Sequence, residues 1–460
     1  MFKSSIPMER PIRRYGLSWL GILRMGLVQA SLGGIVVLTT SIMNRILVVE
    51  IALAAIIPGV LVGVHYAVQI GRPLWGHAAD VGGNRTRWII GGFALLAFAG
   101  TLAATAPTLF EWSFWAGMAV GLIAYTLIGF GIGACGTSLL ALLASRTAPD
   151  RRAAAATTVW IMMIVGIIFT SIAASLVLDP YSHTKLFVLT AIAGVTTLCL
   201  VVLSIAGIER RYAPMRERSS SEAINFREAL SDAWDDPHAR LFTIFVFVSM
   251  LSYATQDLIL EPFGGLLFAM TPGETTALNG QQHTGVLIGM LLVGIVGSVF
   301  KKWKSTLLKA FTVLGCIGSG LALAALAFAS TTAPDWPLQM NVMMLGFMNG
   351  MFAVAAIGTM MTLASNGDKS REGIRMGLWG AAQAIAFGLG GFAGTVILDA
   401  VRWLTDNVAF SFTVVFGVEA LLFVVSAAIA LRINYTGARN KQHEAKPTEP
   451  LDTFQVQPAE

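Results

Sequence analysis

Residues with chemical capacity are few in this chain, and they sit where the sequence is otherwise apolar. The stretch "ATQDLILEPFGG" (254–265) carries Gln256, Asp257 and Glu261, followed at once by Pro262, which reads as a helix break serving as a gate or a bent end, with Gly264 and Gly265 letting it flex. Asp257 and Glu261 are four residues apart and so share one face of a helix. A second stretch, "NRILVVE" (44–50), holds Asn44, Arg45 and Glu50, and "VGVHYAVQ" places His65 beside Tyr66 and a turn before Gln69. A charged side chain at bilayer depth costs at least ~2.5 kcal/mol, so it faces a bundle interior or a water-filled path and finds a partner. Two roles are open for the acids. Either they line a cleft and handle a ligand or a proton, or they clamp Arg45 as a structural pair. His65 either offers an imidazole nitrogen to a ligand or makes an interhelical hydrogen bond. Arg24 reads as a snorkelling side chain near one face, and Glu419 and Arg402 are weighed as partners.

The elements that position these groups are membrane spans. Of 460 residues, 55% are hydrophobic and 12% charged, with a mean hydropathy of +0.70. Soluble domains are roughly a quarter charged, and a soluble fold of this composition would lack the polar surface to cover its core. A span needs about 20 mostly apolar residues. Twelve stretches qualify: 21–43, 51–71, 88–106, 113–143, 154–178 and 186–207, then 241–268, 284–300, 307–329, 339–364, 375–398 and 408–431. His183 and His283 then fall in outer loops. Cys135, Cys199 and Cys316 all lie within apolar segments at no metal-like spacing and read as free thiols.

Basic residues alternate heavy and light from loop to loop. All but Arg24, Arg45, Lys185 and Arg402 of the 31 Lys and Arg lie in the two termini and the loops after even-numbered spans. The net charge of +5 is therefore a topology signal that places both termini in the cytoplasm, not a nucleic-acid footprint. The domains follow: a cytoplasmic segment 1–20, a six-helix bundle 21–208, a linker 209–240 with a short amphipathic helix near 222–234, a second bundle 241–432, and a polar, disordered tail 433–460.

The halves echo each other. "LLASRTAPDRRAAAATTVW" follows span 4 and "TLASNGDKSREGIRMGLW" follows span 10, while "TQDLILE" stands in span 7 where "NRILVVE" stands in span 1. Twelve spans, a central linker and a repeat describe an all-α, six-plus-six transporter architecture. Glycine clusters such as "GFGIGACG" (129–136) permit close helix packing; with no preceding strand they make no nucleotide site. No hydrolytic triad, Cys/His cluster or Walker lysine is found, so an enzyme is not expected.

The loop "GHAADVGGNRTRW" (76–88) resembles the major facilitator superfamily loop motif through Gly76, Asp80, Gly83, Arg85 and Arg87. The stretches 29–50 and 256–265 resemble the first and seventh helices of the PucC/LhaA family, the bacteriochlorophyll delivery branch of that superfamily. After Asp80 the loop is shorter and richer in glycine than in antenna-assembly members, and the chain is most similar to members associated with bacteriochlorophyll synthesis. The resemblance implies a multi-pass protein of the bacterial inner membrane whose cargo is bacteriochlorophyll or a precursor. No covalent cofactor is implied, and the implied partners are antenna polypeptides and pigment-synthesis enzymes. It gives His65 a possible ligand in the magnesium of a chlorin. An ordinary secondary transporter of a small solute and a non-transporting assembly scaffold stay open beside it.

The distribution of basic residues generates a topology test. Reporter fusions at Ser220 and at the C-terminus report from the cytoplasm, and one at Gly273 from the opposite side. An outer signal at Ser220 would overturn the assignment.

Overall fold

The computed structural model describes residues 14–71, 84–148, 151–213, 234, 237–300, 304–365 and 372–433. Twelve helices carry the fold: α1 (Trp19–Glu50), α2 (Ile56–Gln69), α3 (Arg85–Ala103), α4 (Phe114–Arg146), α5 (Arg152–Leu178), α6 (His183–Ile205), α7 (Pro237–Phe268), α8 (Pro272–Val299), α9 (Lys304–Thr332), α10 (Leu338–Ser365), α11 (Glu372–Thr405) and α12 (Val408–Arg432). Among the described residues, all except α2 are long and apolar enough to cross a membrane, and α2 is a shorter apolar helix. Gly76, Asp80 and Gly83 of the loop motif lie outside the described residues, as do residues 214–233 of the linker, with most of its expected amphipathic helix, and the tail beyond Ile433.

The packing repeats with a period of six helices. In the first half α1 packs on α5 and α6, α2 and α3 on α4, and α3 on α6. The second half repeats this as α7 on α11 and α12, α8 and α9 on α10, and α9 on α12. The halves meet through α5 with α8, α2 with α11, and α1 with α7. The first two of these interfaces are themselves related by the repeat. This is the major facilitator superfamily arrangement, two six-helix bundles about a shared central seam.

Helix ends of the first bundle on the side of the linker are closed by charged side chains. Glu209 accepts from the backbone N–H of Arg85 (3.3 Å) and Thr86 (3.0 Å), capping α3, whose Asn84 accepts from Arg87 N–H. The guanidinium of Arg24 donates to the Leu203 and Ala206 carbonyls at 3.1 and 2.6 Å and closes the C-terminal end of α6. A two-residue parallel bridge joins β1 (Arg14–Tyr15) to β2 (Tyr212–Ala213). With the Ser18–Tyr212 hydroxyl pair at 2.8 Å, it fastens the N-terminal segment to the start of the linker.

One expected boundary moves substantially. Hydropathy places the eighth span at 284–300, yet α8 begins at Pro272. Thr271 and Glu274 form a reciprocal capping box there, with proline at the first helical position. The polar run Asn279–His283 is therefore helical, and His283 is buried in α8 instead of lying in an outer loop. α8 and α10 also carry matched glycine pairs four residues apart, Gly285 with Gly289 and Gly346 with Gly350. A Cβ on any of them would strike the facing backbone, at Met343, Phe347, Gln282 and Val286 respectively. The two backbones thus touch along their length, as small-residue membrane seams allow.

Replacing Gly350 by alanine is expected to destabilise the second bundle by about 1–3 kcal/mol through overpacking. Gly294→Ala, whose added methyl would meet open space, serves as the control. Thermal melting in detergent measures both, and equal melting temperatures would show that the seam tolerates separation.

Candidate functional site

The site grows out of one proline. Pro262 has no N–H, so the carbonyl four residues earlier, that of Leu258, loses its helical donor. α7 nonetheless continues unbroken to Phe268, which corrects the expectation of a helix break at this point. The missing donor comes from the other bundle: the Asn44 side-chain amide of α1 donates to the Leu258 carbonyl at 2.5 Å, with both groups buried. A proline in one half is thereby paired with an asparagine in the other.

One residue on, Arg45 completes the seam between α1 and α7. Its guanidinium is ion-paired with Glu50, five residues along the same helix, and donates to the Met270 carbonyl at 2.7 Å across the seam. The side chain of Arg45 is 3% exposed and that of Glu50 30%. Two π-helical turns, Leu38–Ile42 and Ile46–Glu50, re-aim this end of α1. Within the first of them the Thr39 carbonyl takes a hydrogen bond from the Tyr125 hydroxyl of α4 at 2.5 Å. Gly265 lets α7 approach: a Cβ there would lie 2.9 Å from Val49 and 3.4 Å from Arg45 Nε. Its role is closeness, where the sequence had read flexibility.

The clamp in its expected form is not what the side chains build. Arg45 pairs with Glu50 and a backbone carbonyl, and neither Asp257 nor Glu261 forms an ion pair with it. Glu261 is 1% exposed, and neither of its oxygens has a hydrogen-bond donor. The Arg45 guanidinium and the Asn279 amide of α8 belong to its electrostatic surroundings. The apparent match between Glu50 and Glu261 is thus one of sequence place and not of depth. Asp257 is half-buried, in the electrostatic reach of Tyr253 on its own helix and of Glu419 on α12. Glu419 is buried with both oxygens unpaired and is not a partner of Arg402, which is exposed at the far end of α11.

Gln256 does not line the cleft beside the acids. Its carbonyl oxygen accepts from Asn349 of α10 at 3.2 Å and from Gln282 of α8 at 3.5 Å, and Asn349 accepts from Ser319 of α9 at 2.7 Å. This amide network lies wholly within the second bundle. His65 is buried, and its Nε2 faces the Gln69 amide at 2.9 Å. Of the loop motif, Arg85 is anchored to the end of α4 through the Ala141 carbonyl (2.9 Å) and Ser145 hydroxyl (2.7 Å), while Arg87 is exposed.

Sequence reasoning missed an aromatic seam between the bundles. Tyr66 on α2 meets Phe387 on α11 at 6.0 Å between ring centroids, Phe387 meets Tyr253 at 5.9 Å, and Tyr253 meets Phe352 of α10 at 6.4 Å. Aromatics are so common in spans that only packing distinguishes these four. On the outer side a pocket of about 670 Å³ is lined by residues including Arg45, Glu50, Asp179, Tyr181 and Met270. Burial, with the Glu50 and Glu111 carboxylates adding to it, pushes the Tyr181 phenol above its ordinary range.

Residues 42–438 match the family model described as PUCC protein. The chain belongs to this family. It is 50% identical over 416 residues to the "Bacteriochlorophyll synthase 44.5 kDa chain" of Rhodobacter capsulatus, covering 90% of this chain and 95% of that relative. Identity to "Protein PucC" of the same organism is 26% over 443 residues, covering 91% and 93%. Among solved structures, a D-xylose-proton symporter aligns with a TM-score of 0.67 at 14% identity, covering 90% of this chain and 97% of that one. An inward-facing, unoccupied bacterial homologue of the lysosomal transporter Spinster aligns at 0.68 with 13% identity, covering 91% and 99%. These likenesses establish the major facilitator fold for this PUCC-family chain.

The proline–asparagine pairing predicts a non-additive double mutant. Asn44→Ala alone leaves a buried carbonyl unsatisfied and costs about 1–3 kcal/mol. Pro262→Ala restores the helical N–H, so in that background the cost of Asn44→Ala should fall by at least about 1 kcal/mol. Detergent unfolding of the four proteins gives the coupling, and strict additivity would refute the pairing.

Proposed function

We propose that this PUCC-family protein is a non-enzymatic, transporter-like protein of the inner membrane of a phototrophic bacterium. It delivers bacteriochlorophyll, or a precursor, to antenna polypeptides and so promotes assembly of light-harvesting complexes. The observation that carries the reading is the family match over 42–438, joined to a major facilitator fold. The higher identity to a relative named for bacteriochlorophyll synthesis than to those named PucC favours pigment-synthesis enzymes as the donors in this handover. The aromatic seam supports a flat, largely apolar cargo, since its tilted and edge-on rings offer an apolar surface to one. Asp257, half-buried beside Tyr253, is the polar group best placed to meet it. A second reading, secondary transport of a small solute, is supported by the symporter among the structural neighbours.

In a null strain, the wild-type gene should restore antenna absorbance, and the purified protein should carry pigment. Asp257→Asn should express normally, because an amide avoids the burial cost of a carboxylate, yet restore several-fold less antenna. Full restoration by Asp257→Asn would remove this residue from the function. A solute-dependent thermal shift without bound pigment would favour the transporter reading.

A further inference from the structure

The outer side of the seam is closed by two carboxylates that sequence and function leave unexplained. Asp399, near the outer end of α11, accepts from the backbone N–H of Ala55 at 3.1 Å and of Ile56 at 2.6 Å, the first residues of α2. Asp179, at the outer end of α5, accepts from the Gly273 N–H at 3.0 Å and the Thr271 hydroxyl at 2.7 Å, at the start of α8. α5 corresponds to α11 under the six-helix repeat, and α8 corresponds to α2. Each bundle therefore extends an aspartate from the same structural place into the same helix start of the other bundle. Four unpaired N–H groups and the positive end of the helix dipole make such a start a strong carboxylate partner.

We propose that Asp179 and Asp399 form a twin latch that holds the outer side of this protein shut, and that opening toward that side requires both caps to break. The two arms are unequal in a way the local sequences explain. α8 keeps a cap of its own, the box between Thr271 and Glu274, when Asp179 leaves. α2 begins at Ala55 with no side-chain cap from its own bundle. Release of Asp399 thus strands two backbone donors, whereas release of Asp179 strands one N–H and a hydroxyl. The Asp399 arm is the stronger. The glycines beside the arms tighten both seams: Gly59 abuts Thr395, and Gly273 abuts Asp179 itself, so neither interface has slack to absorb a lost cap. The latch concerns conformation alone and stands whatever the cargo.

The test is a distance measurement between the bundles on the outer side. Nitroxides are placed at Trp112→Cys and Thr405→Cys, both exposed, in a Cys199→Ser background of the full chain in lipid nanodiscs, Cys135 and Cys316 being buried. Double electron–electron resonance then reports the separation. The otherwise unaltered protein should show one short-distance population. Asp179→Ala, which leaves the α8 capping box intact, should add a longer-distance population without lowering the melting temperature. Asp399→Ala should raise the ratio of long to short by about tenfold, and the double variant should make the long distance dominant. Asp399→Asn, which keeps an acceptor oxygen without the charge, should fall between. Asp335→Ala, an exposed outer carboxylate that makes no contact across the seam, is the control. Distances unchanged in folded Asp179→Ala and in the folded double variant would overturn the latch, as would an equal shift in the Asp335→Ala control.

Discussion

The carbonyl of Leu258 has no donor in its own helix, and in a membrane that deficit cannot be left to water. Pro262 creates it, and Asn44 of the other bundle fills it. Everything nearby is consistent with that requirement. Gly265 lets α7 lie against Val49, Arg45 reaches past the contact to the Met270 carbonyl, and π-helical turns in α1 set Asn44 and Arg45 on the facing side. The α1–α7 contact is therefore held by backbone chemistry, with the Arg45–Glu50 pair added at its outer edge.

Around that anchor the remaining contacts fall into repeat-related sets. Within each bundle, helices pair in the same order, and the closest pairing, α8 with α10, relies on glycines in contact with facing backbone. Between bundles, α5–α8 and α11–α2 are the same joint used twice. An aspartate caps a helix start in each, so the symmetry extends from topology to individual hydrogen bonds. The α1–α7 contact lies near the pseudo-axis and is not duplicated by the repeat. Its two sides accordingly differ: asparagine and arginine on one, proline and glycine on the other.

How much of this was legible in the sequence depends on what a linear pattern can carry. Span number and the six-plus-six division rest on hydropathy, a property of whole segments. They survived, with the second span a shorter helix than the rest. The start of α8 did not, because a capping box and a polar buried face outweigh window-averaged hydropathy there. The direction of single polar side chains was not legible at all. Gln256 and Asp257 are adjacent, yet one joins the Asn349 network inside a bundle and the other lies half-buried beside Tyr253. Only the 100° step between neighbours on a helix, applied to a known packing, separates them. His65 shows the same limit, since its neighbour Gln69 is visible in sequence but its burial is not. Asp179 and Asp399 were visible only as acids at span ends, the commonest place for an unremarkable charge.

The polar residues of the membrane region divide by whether they make any hydrogen bond. Asn44, Arg45 and the Gln256–Asn349 pair each make at least one bond across a packing contact, and their removal is a matter of stability. Glu261 and Glu419 make no bond of ordinary geometry: both are buried, with the Asn279 side chain and the Arg45 charge supporting Glu261 alone. Asp257 lies within electrostatic reach of Glu419 on α12, inside the second bundle, and of Tyr253, which joins the aromatic rings. Carboxylates inside spans are rare and costly, so these two acids are the residues of the second bundle to test first for a role beyond packing.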